Sequence, residues 1–419
     1  MGSGGARRIE TRGLWVGAVT SPSMAHRVRR NRGLTPPPPR LISVRFATNP
    51  PTPLDLHTLR SAPGFRTNRF TNERVRYIRT VIRERLGPLP HSDPAHSVLV
   101  RHVFPQLGVN GDRARIRAYR LGGSNAVFEY EDRESGAKVI GKFYGRPGIP
   151  ASGAITNRML REFRAIERMR GIGLDGHPHQ VMRAFAAVPE IGGALFLEHL
   201  EGETLGVVLD AVAKGKQSPS DLYARLTALA YFLATMHNRT AREEPVAFAT
   251  DVKYLRKLSR TLRELGHLGE SGDREFRALG ERWMGFGPMW EDRKVLLHGD
   301  ATPANFLFRH GMWVGGIDFE RSHFGDRSYD VGRIAGELQH AFLRNRGSRR
   351  AAEPFIGHFL WEYACHFPDR HDAFAHICAR IPFHLATTLL RIARNEWVAD
   401  DYRAVLLDSA RDALSSVGR

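Results

Sequence analysis

The sequence predicts an α+β protein of two lobes, a small antiparallel-sheet lobe followed by a mainly helical one. Three observations predict it. Strand-like runs separated by turn residues crowd residues 114–198, apolar residues repeat at helical spacing after Gly202, and polar residues punctuate short apolar runs over 295–332. A cleft between two such lobes is a favoured place for a ligand.

Length and composition set the limits. A chain of 419 residues suits two or three domains or two lobes. With 42% apolar and 25% charged residues, most of it can build packed cores. No apolar run in the sequence approaches the roughly 18 residues of a membrane span. Cys365 and Cys378 are too few for a disulfide framework or a four-thiolate zinc site.

The net charge of +18 invites a nucleic-acid or anionic-membrane partner. Its distribution argues otherwise. Residues 1–70 carry twelve Arg and only Glu10 and Asp55 as acids, so they hold +10 of the total and leave +8 for residues 71–419. The same segment contains the run Pro36 to Pro39 and little hydrophobic periodicity. It reads as a disordered basic extension, because it has too little apolar area to offset its ordering entropy. Three readings compete for it: an organellar transit peptide, a nucleic-acid or membrane arm, and a solvated tail, with Met24 as a candidate start. Nucleic acid is not the expected partner, and the expected location is the cytoplasm.

The first lobe is expected over 71–201. Val75, Ile78, Ile82 and Leu86 fall at helical spacing, and Gly87-Pro88 would stop that helix. Ala114 to Leu121, Ala126 to Glu131 and Ala137 to Tyr144 then form an antiparallel meander, broken by Gly122-Gly123-Ser124-Asn125 and by Glu134-Ser135-Gly136. A helix covers Asn157 to Met169. Runs at 181–188 and 194–198 complete the sheet.

The second lobe is expected over 202–419. Ser218-Pro219-Ser220-Asp221 combines a cap, a first-turn proline and an acid, and Leu222, Leu226, Leu229, Leu233 and Met236 follow at helical spacing. Further helices are expected at 251–265, 273–284, 328–343, 353–366, 370–380, 384–396 and 400–415.

The chemistry concentrates in Val295 to Gly332. Apolar runs end at His298-Gly299-Asp300 and at Ile317-Asp318, and Asn305 lies in the loop between them. Two carboxylates and an amide so spaced can converge on one point, and such oxygen donors suit Mg²⁺. These residues, together with Phe319-Glu320, resemble the signature of the aminoglycoside phosphotransferase and choline kinase family. That family consists of small-molecule kinases with a protein-kinase-like fold, and the resemblance spans about residues 110–400.

The resemblance implies Asp300 as catalytic base, Asn305 and Asp318 as Mg²⁺ ligands, and ATP or GTP as donor to a hydroxyl of a small molecule. An aspartate titrates near pH ~3.9 and is a feeble base toward an alcohol. A loose transition state needs little early deprotonation, so Asp300 would chiefly orient the hydroxyl and take its proton late.

Only seven Lys occur against 55 Arg. Lys142, on the third meander strand, stands where the family's phosphate-contacting lysine belongs, as a point charge for phosphates. Its expected partner is Glu162, with Glu167 second, and Lys138 is read as solvated. Gly122, Gly123 and Ser124 resemble the family's turn over the phosphates. Phe196 to Gly202 resembles the linker between lobes, whose backbone around Glu198 and Leu200 would meet a purine edge.

Asp330 matches a family position and is expected to brace the catalytic loop through its amides. His298 and His237 are read as structural and Asp326 as a turn residue. The acceptor pocket is expected in the C-terminal third, from Trp361, Trp397, His366, His384, Glu396, Asp400 and Asp401. The alternative for Asp400 and Asp401 is simply to start a helix.

Two rivals remain. One is a kinase of protein or polymer, against which the absence of Asp-Phe-Gly and Ala-Pro-Glu speaks. The other is a silent nucleotide-binding module tethered by the basic arm. A silent fold has no need of Lys142, Asp300, Asn305 and Asp318 together.

Overall fold

The computed structural model describes residues 15–16, 83–122 and 126–418. Most of the predicted basic extension, residues 71–82 of the predicted first helix, and Gly123 and Ser124 lie outside the described residues.

The first lobe is built on a seven-stranded antiparallel sheet. Its strands are β1 (Trp15–Val16), β2 (Arg83–Pro88), β3 (Ile116–Leu121), β4 (Ala126–Asp132), β5 (Lys138–Phe143), β7 (Ala184–Val188) and β8 (Ala194–Glu198), in the order β1-β7-β8-β5-β4-β3-β2. The expected meander is β3-β4-β5. A short helix, α1 (Pro94–Val98), continues irregularly to Leu107 and packs Val98, Leu99, Val103 and Phe104 into the sheet's core with Tyr130, Phe143 and Phe196.

Residues 83–86 are strand, not helix. They pair with β3, Arg83 opposite Leu121, and Leu86 is 51% exposed rather than buried on a helical stripe. Long-range pairing overrode the local period here. Arg83 secures the edge, donating to Glu129 at 2.7 Å and lying over the Tyr119 ring.

On the other side of the sheet runs α2 (Gly153–Gly171), capped by Ser152. Met159, Glu162, Ile166 and Met169 share its buried stripe, so helical spacing alone puts Glu162 in the interior. The predicted strand 181–188 is two strands. β6 (His179–Val181) pairs parallel with β12 (Val314–Gly316), while β7 stays in the large sheet. Arg183 divides them, its N–H donating to the Glu198 carboxylate at 2.9 Å.

The second lobe is mainly helical. It comprises α3 (Leu205–Ala213), α4 (Pro219–Arg239), α5 (Ala249–Glu264), α6 (Glu270–Met284), α7 (Ser328–Arg346), α8 (Glu353–Ala364), α9 (Arg370–Ala393) and α10 (Asp400–Leu414). The expected cap at Ser218 is present, accepting the Ser220 N–H. The two helices expected at 370–396 are one. Packing against α7 and α10 carries α9 through Pro382, despite the hydrogen bond that proline removes. By length and hydropathy α9 could cross a membrane, but most of its apolar window is buried inside the lobe.

Small strands beside the helices hold the motif. β10 (Val295–Leu297) pairs with β13 (His323–Gly325), β11 (Phe306–Phe308) forms a hairpin with β12, and β9 (Glu203–Thr204) pairs with β11. His298-Gly299-Asp300 follows β10, and Ile317-Asp318 follows β12.

α7 and α9 approach closely through glycine. A Cβ on Gly332 would sit 2.4 Å from the Cβ of His384, and one on Gly336 would sit 2.6 Å from that of Thr388. Alanine favours a helix over glycine by about 1 kcal/mol, yet overpacking costs about 1–3 kcal/mol. Gly332→Ala is therefore expected to lower the thermal midpoint. A midpoint equal to or above the parent's would show that the helices can part without cost.

Candidate active site

The loop carrying Asp300 is held from below by Asp330 on α7. This carboxylate is fully buried and accepts the N–H of His298 at 2.6 Å and of Gly299 at 3.0 Å. His237 Nε2 lies 3.3 Å from it, and His237 Nδ1 lies 2.8 Å from the Tyr363 hydroxyl. Burial alone would raise the Asp330 carboxyl, but His237 and the two amides outweigh it and hold the group below its usual range. Burial likewise lowers His237, against the pull of Asp330. The expected structural roles of Asp330, His237 and His298 match these contacts. His298 Nε2 meets the Ile317 carbonyl at 3.0 Å and ties the Asp300 loop to the Asp318 strand.

Gly299 makes the bend between them. Its φ is +79°, and a Cβ there would lie 2.1 Å from the Arg321 carbonyl oxygen. No other residue fits. Asp300 is thereby turned into the cleft, with Oδ1 2.5 Å from Arg333 Nη1 and Oδ2 3.9 Å from Arg321 Nε. Asn305 Nδ2 donates to the Asp300 carbonyl at 2.8 Å, which leaves the amide oxygen as the end suited to a cation.

Lys142 gathers three carboxylates. Its Nζ lies 2.8 Å from Glu162, 2.7 Å from Asp318 and 3.2 Å from Glu320. Glu162 is fully buried, also accepts the Tyr144 hydroxyl, and leaves Oε1 without a partner. Burial opposes charge on Lys142, yet the three carboxylates together push it above its ordinary value. Burial pushes Glu162 up as well, against the pull of Lys142. Asp318 has φ +67°, the one positive φ outside glycine among the described residues. Such strain persists where the surroundings impose it, and it clusters at functional sites.

The donor set fits a hard divalent cation. Oxygen atoms of Glu162, Asp318 and Glu320 lie within 4.8 Å of one another. Three carboxylates gathered around one ammonium supply the hard oxygen donors that Mg²⁺ takes.

These residues line a cleft of about 570 Å³. Val127, Ile140, Leu197, Leu200, Leu307 and Ile317 form its apolar side, next to Gly122. Glu198 lines it too, although its carboxylate turns to Gln180 and Arg183. Lys138 lies beside Glu201 at 3.8 Å, partly exposed as expected. Asp326 is not a simple turn residue. It is buried, ion-paired with Arg380, and accepts the Ser328 N–H at 2.8 Å.

A family model described as a phosphotransferase enzyme family matches residues 115–366, more than half of the chain. The chain belongs to this phosphotransferase family. The fold agrees with solved family structures. A Plasmodium vivax ethanolamine kinase is 14% identical with a TM-score of 0.50, covering 75% of this chain and 86% of that one. A choline kinase from Cryptosporidium parvum is 13% identical with a TM-score of 0.50, covering 77% and 92%. No curated sequence matches.

The residues expected at the acceptor side of this phosphotransferase are not the ones that line it. His384 is buried near Asp326, Trp361 packs on His371 and Phe374, and His366 stacks on Tyr231. Asp400 and Asp401 start α10, and Asp400 pairs with Arg403. None of the expected residues lines the cleft, although the Trp397 ring lies 6.4 Å from that of His340, which does. The lining is instead Asp210, Arg321, Glu337, His340, Arg344 and Arg391. A signal existed: Asp330, Arg333, Glu337, His340 and Arg344 recur at helical spacing along one segment.

Replacing Asp330 by Ala strips the acceptor from two buried amides and is expected to cost about 3 kcal/mol. Because the folded carboxyl lies below its unfolded value, this contribution is complete above the ordinary carboxyl range near pH ~3.9 and is lost as pH falls through the lower folded value. Urea titrations of the two proteins should therefore differ most at neutral pH and converge in acid. A gap that stays constant with pH would refute the ionic brace.

Proposed function

We propose that the chain transfers the γ-phosphate of ATP or GTP to a hydroxyl of a small molecule, with Mg²⁺. The observation that carries this is the meeting of Lys142, Glu162 and Asp318 beside Asp300 and Asn305 in one cleft. A silent fold has no reason to gather this set.

In this reading the apolar side of the cleft receives the purine, with the backbone of Glu198 to Leu200 at its edge. Gly122 lies on the phosphate side of the cleft. Lys142, steered by Glu162, meets the α- and β-phosphates. Asn305 and Asp318, with Glu320 beside them, would hold Mg²⁺, which supplies charge neutralisation for the leaving diphosphate. Asp300 orients the acceptor hydroxyl. The new P–O bond forms as the bridging oxygen leaves with the β-phosphate, and the hydroxyl proton passes late to Asp300. Arg333 engages Oδ1 of Asp300 and so leaves Oδ2 to face the acceptor.

The test is phosphate-ester formation from ATP or GTP over a panel of small alcohols. Asp300→Asn is expected to lose about 10³-fold or more in turnover with nucleotide binding retained. Lys142→Met should raise the nucleotide KM. Arg333→Met should lower kcat without changing nucleotide KM, and Arg333→Lys should recover part of it. Equal turnover in the parent and Asp300→Asn would refute the assignment.

A further inference from the structure

The acceptor wall differs in charge from one built for an amine. It is made by α7, α9 and the end of α3. Two acids stand there, Glu337 and Asp210, and each is taken by an arginine. Arg391 Nη2 bonds Glu337, and Arg344 Nη2 bonds Asp210 at 2.9 Å, with Lys214 on its second oxygen at 2.6 Å.

The order of the partners decides which charge a ligand meets. The Glu337 side chain is 2% exposed, against 20% for Arg391. The Asp210 side chain is 9% exposed, against 21% for Arg344. The carboxylates are the anchors behind, and the guanidiniums are the surface in front. Arg321, 62% exposed, adds a third cation on the Asp300 side of the same cleft. Arg391 also keeps a buried Nε with no partner. An anchored guanidinium still offers N–H groups in a fixed fork, the geometry that carboxylate and phosphate accept in pairs.

We propose that the acceptor is a hydroxyl compound that also bears a carboxylate or phosphate group, and that Arg391 and Arg344 bind that anionic group. This rests on the phosphotransferase reading of the same cleft. His340 stands between the two arginines on the wall. Burial, with Arg344 and Arg391 next, pulls it down to about 3, so it stays neutral and contributes hydrogen bonding rather than charge. Its Nδ1 lies 2.8 Å from the Tyr402 hydroxyl.

The helix also sets a length. Arg333 touches Asp300, Glu337 follows one turn later with Arg391 on it, and Arg344 lies two further turns along α7. At about 1.5 Å per residue, the anionic group sits roughly 6–16 Å from the reacting hydroxyl along the wall. That span suits a compound of sugar-acid or sugar-phosphate size.

The test compares acceptors matched in skeleton and different in charge. One set is D-glucuronate, D-glucose and D-glucosamine, and the other replaces D-glucuronate by D-glucose 6-phosphate. Phosphate-ester formation is measured with MgATP, and binding by calorimetry in MgADP for any compound not turned over. The anionic members should lead by tenfold or more in kcat/KM or affinity, the carboxylate and phosphate arms distinguishing the two sources. Their advantage should shrink with added salt.

Arg391→Met should raise the KM or Kd of the anionic member at least tenfold and leave the nucleotide KM in place. The pair Arg391→Met with Glu337→Gln repeats the measurement without a bare buried carboxylate, should the single variant not fold. A lead for the neutral or amine members, or no discrimination, overturns the inference and leaves the phosphotransferase reading standing. No Asp300-dependent turnover in any set, with no MgATP binding, overturns both.

Discussion

A buried ammonium surrounded by carboxylates holds the site together. Lys142 on β5 reaches Glu162 on α2, 20 residues away, and Asp318 after β12, 176 residues away. One charge therefore ties the sheet, the helix behind it and the second lobe. Burial works against every member of this group, so each needs the others. Removing the ammonium would leave three carboxylates facing one another, and removing Glu162 would leave the ammonium to the cleft side alone. The strained backbone at Asp318 belongs to the same economy of position, because it points the carboxylate at Lys142 rather than along the strand.

The second organiser is α7. Its close approach to α9 through Gly332 and Gly336 lets a largely buried helix carry a stripe of polar residues. Asp330 supports the Asp300 loop from the first turn, Arg333 touches Asp300 itself, and Glu337 and Arg344 reach partners on α9 and α3. One rigid element thus fixes both Asp300 and the arginine-lined wall of the cleft. A shift of α7 by even a fraction of a turn would disturb both together, which explains why glycine, rather than alanine, stands at the two crossing points.

The fold class and the gathering of Asp300, Asn305 and Asp318 in one cleft were readable from the residues because they rest on local signals. Alternation marks β3 to β5, spacing marks α4, and the motif residues stand close together in sequence. Glu162 was readable through the family resemblance, which calls for an acid on the helix after Lys142. What failed depends on distant partners. Residues 83–86 carry a helical period, but pairing with β3 and the Arg83 contacts decide their conformation. Asp326 looks like a turn residue until Arg380, 54 positions later, arrives at its side. The acceptor wall failed for the same reason. The expected aromatic and acidic residues of the last third do not line the cleft, and the packing of α9 on α7 determines which side chains reach it.

The bulk charge of the chain says little about its ligand, because more than half of it lies in the first 70 residues. The choice between the two basic residue types says more. Lysine is scarce, and one of the seven is buried where a point charge must meet several oxygens in turn. Arginine serves the wall, where a planar fork can spend one edge on a buried carboxylate and present another to a ligand. A lysine at Arg391 would put its single ammonium on Glu337 and leave little to offer. The same acids that would attract an amine in the open are therefore converted, by the arginines in front of them, into supports for an anion site.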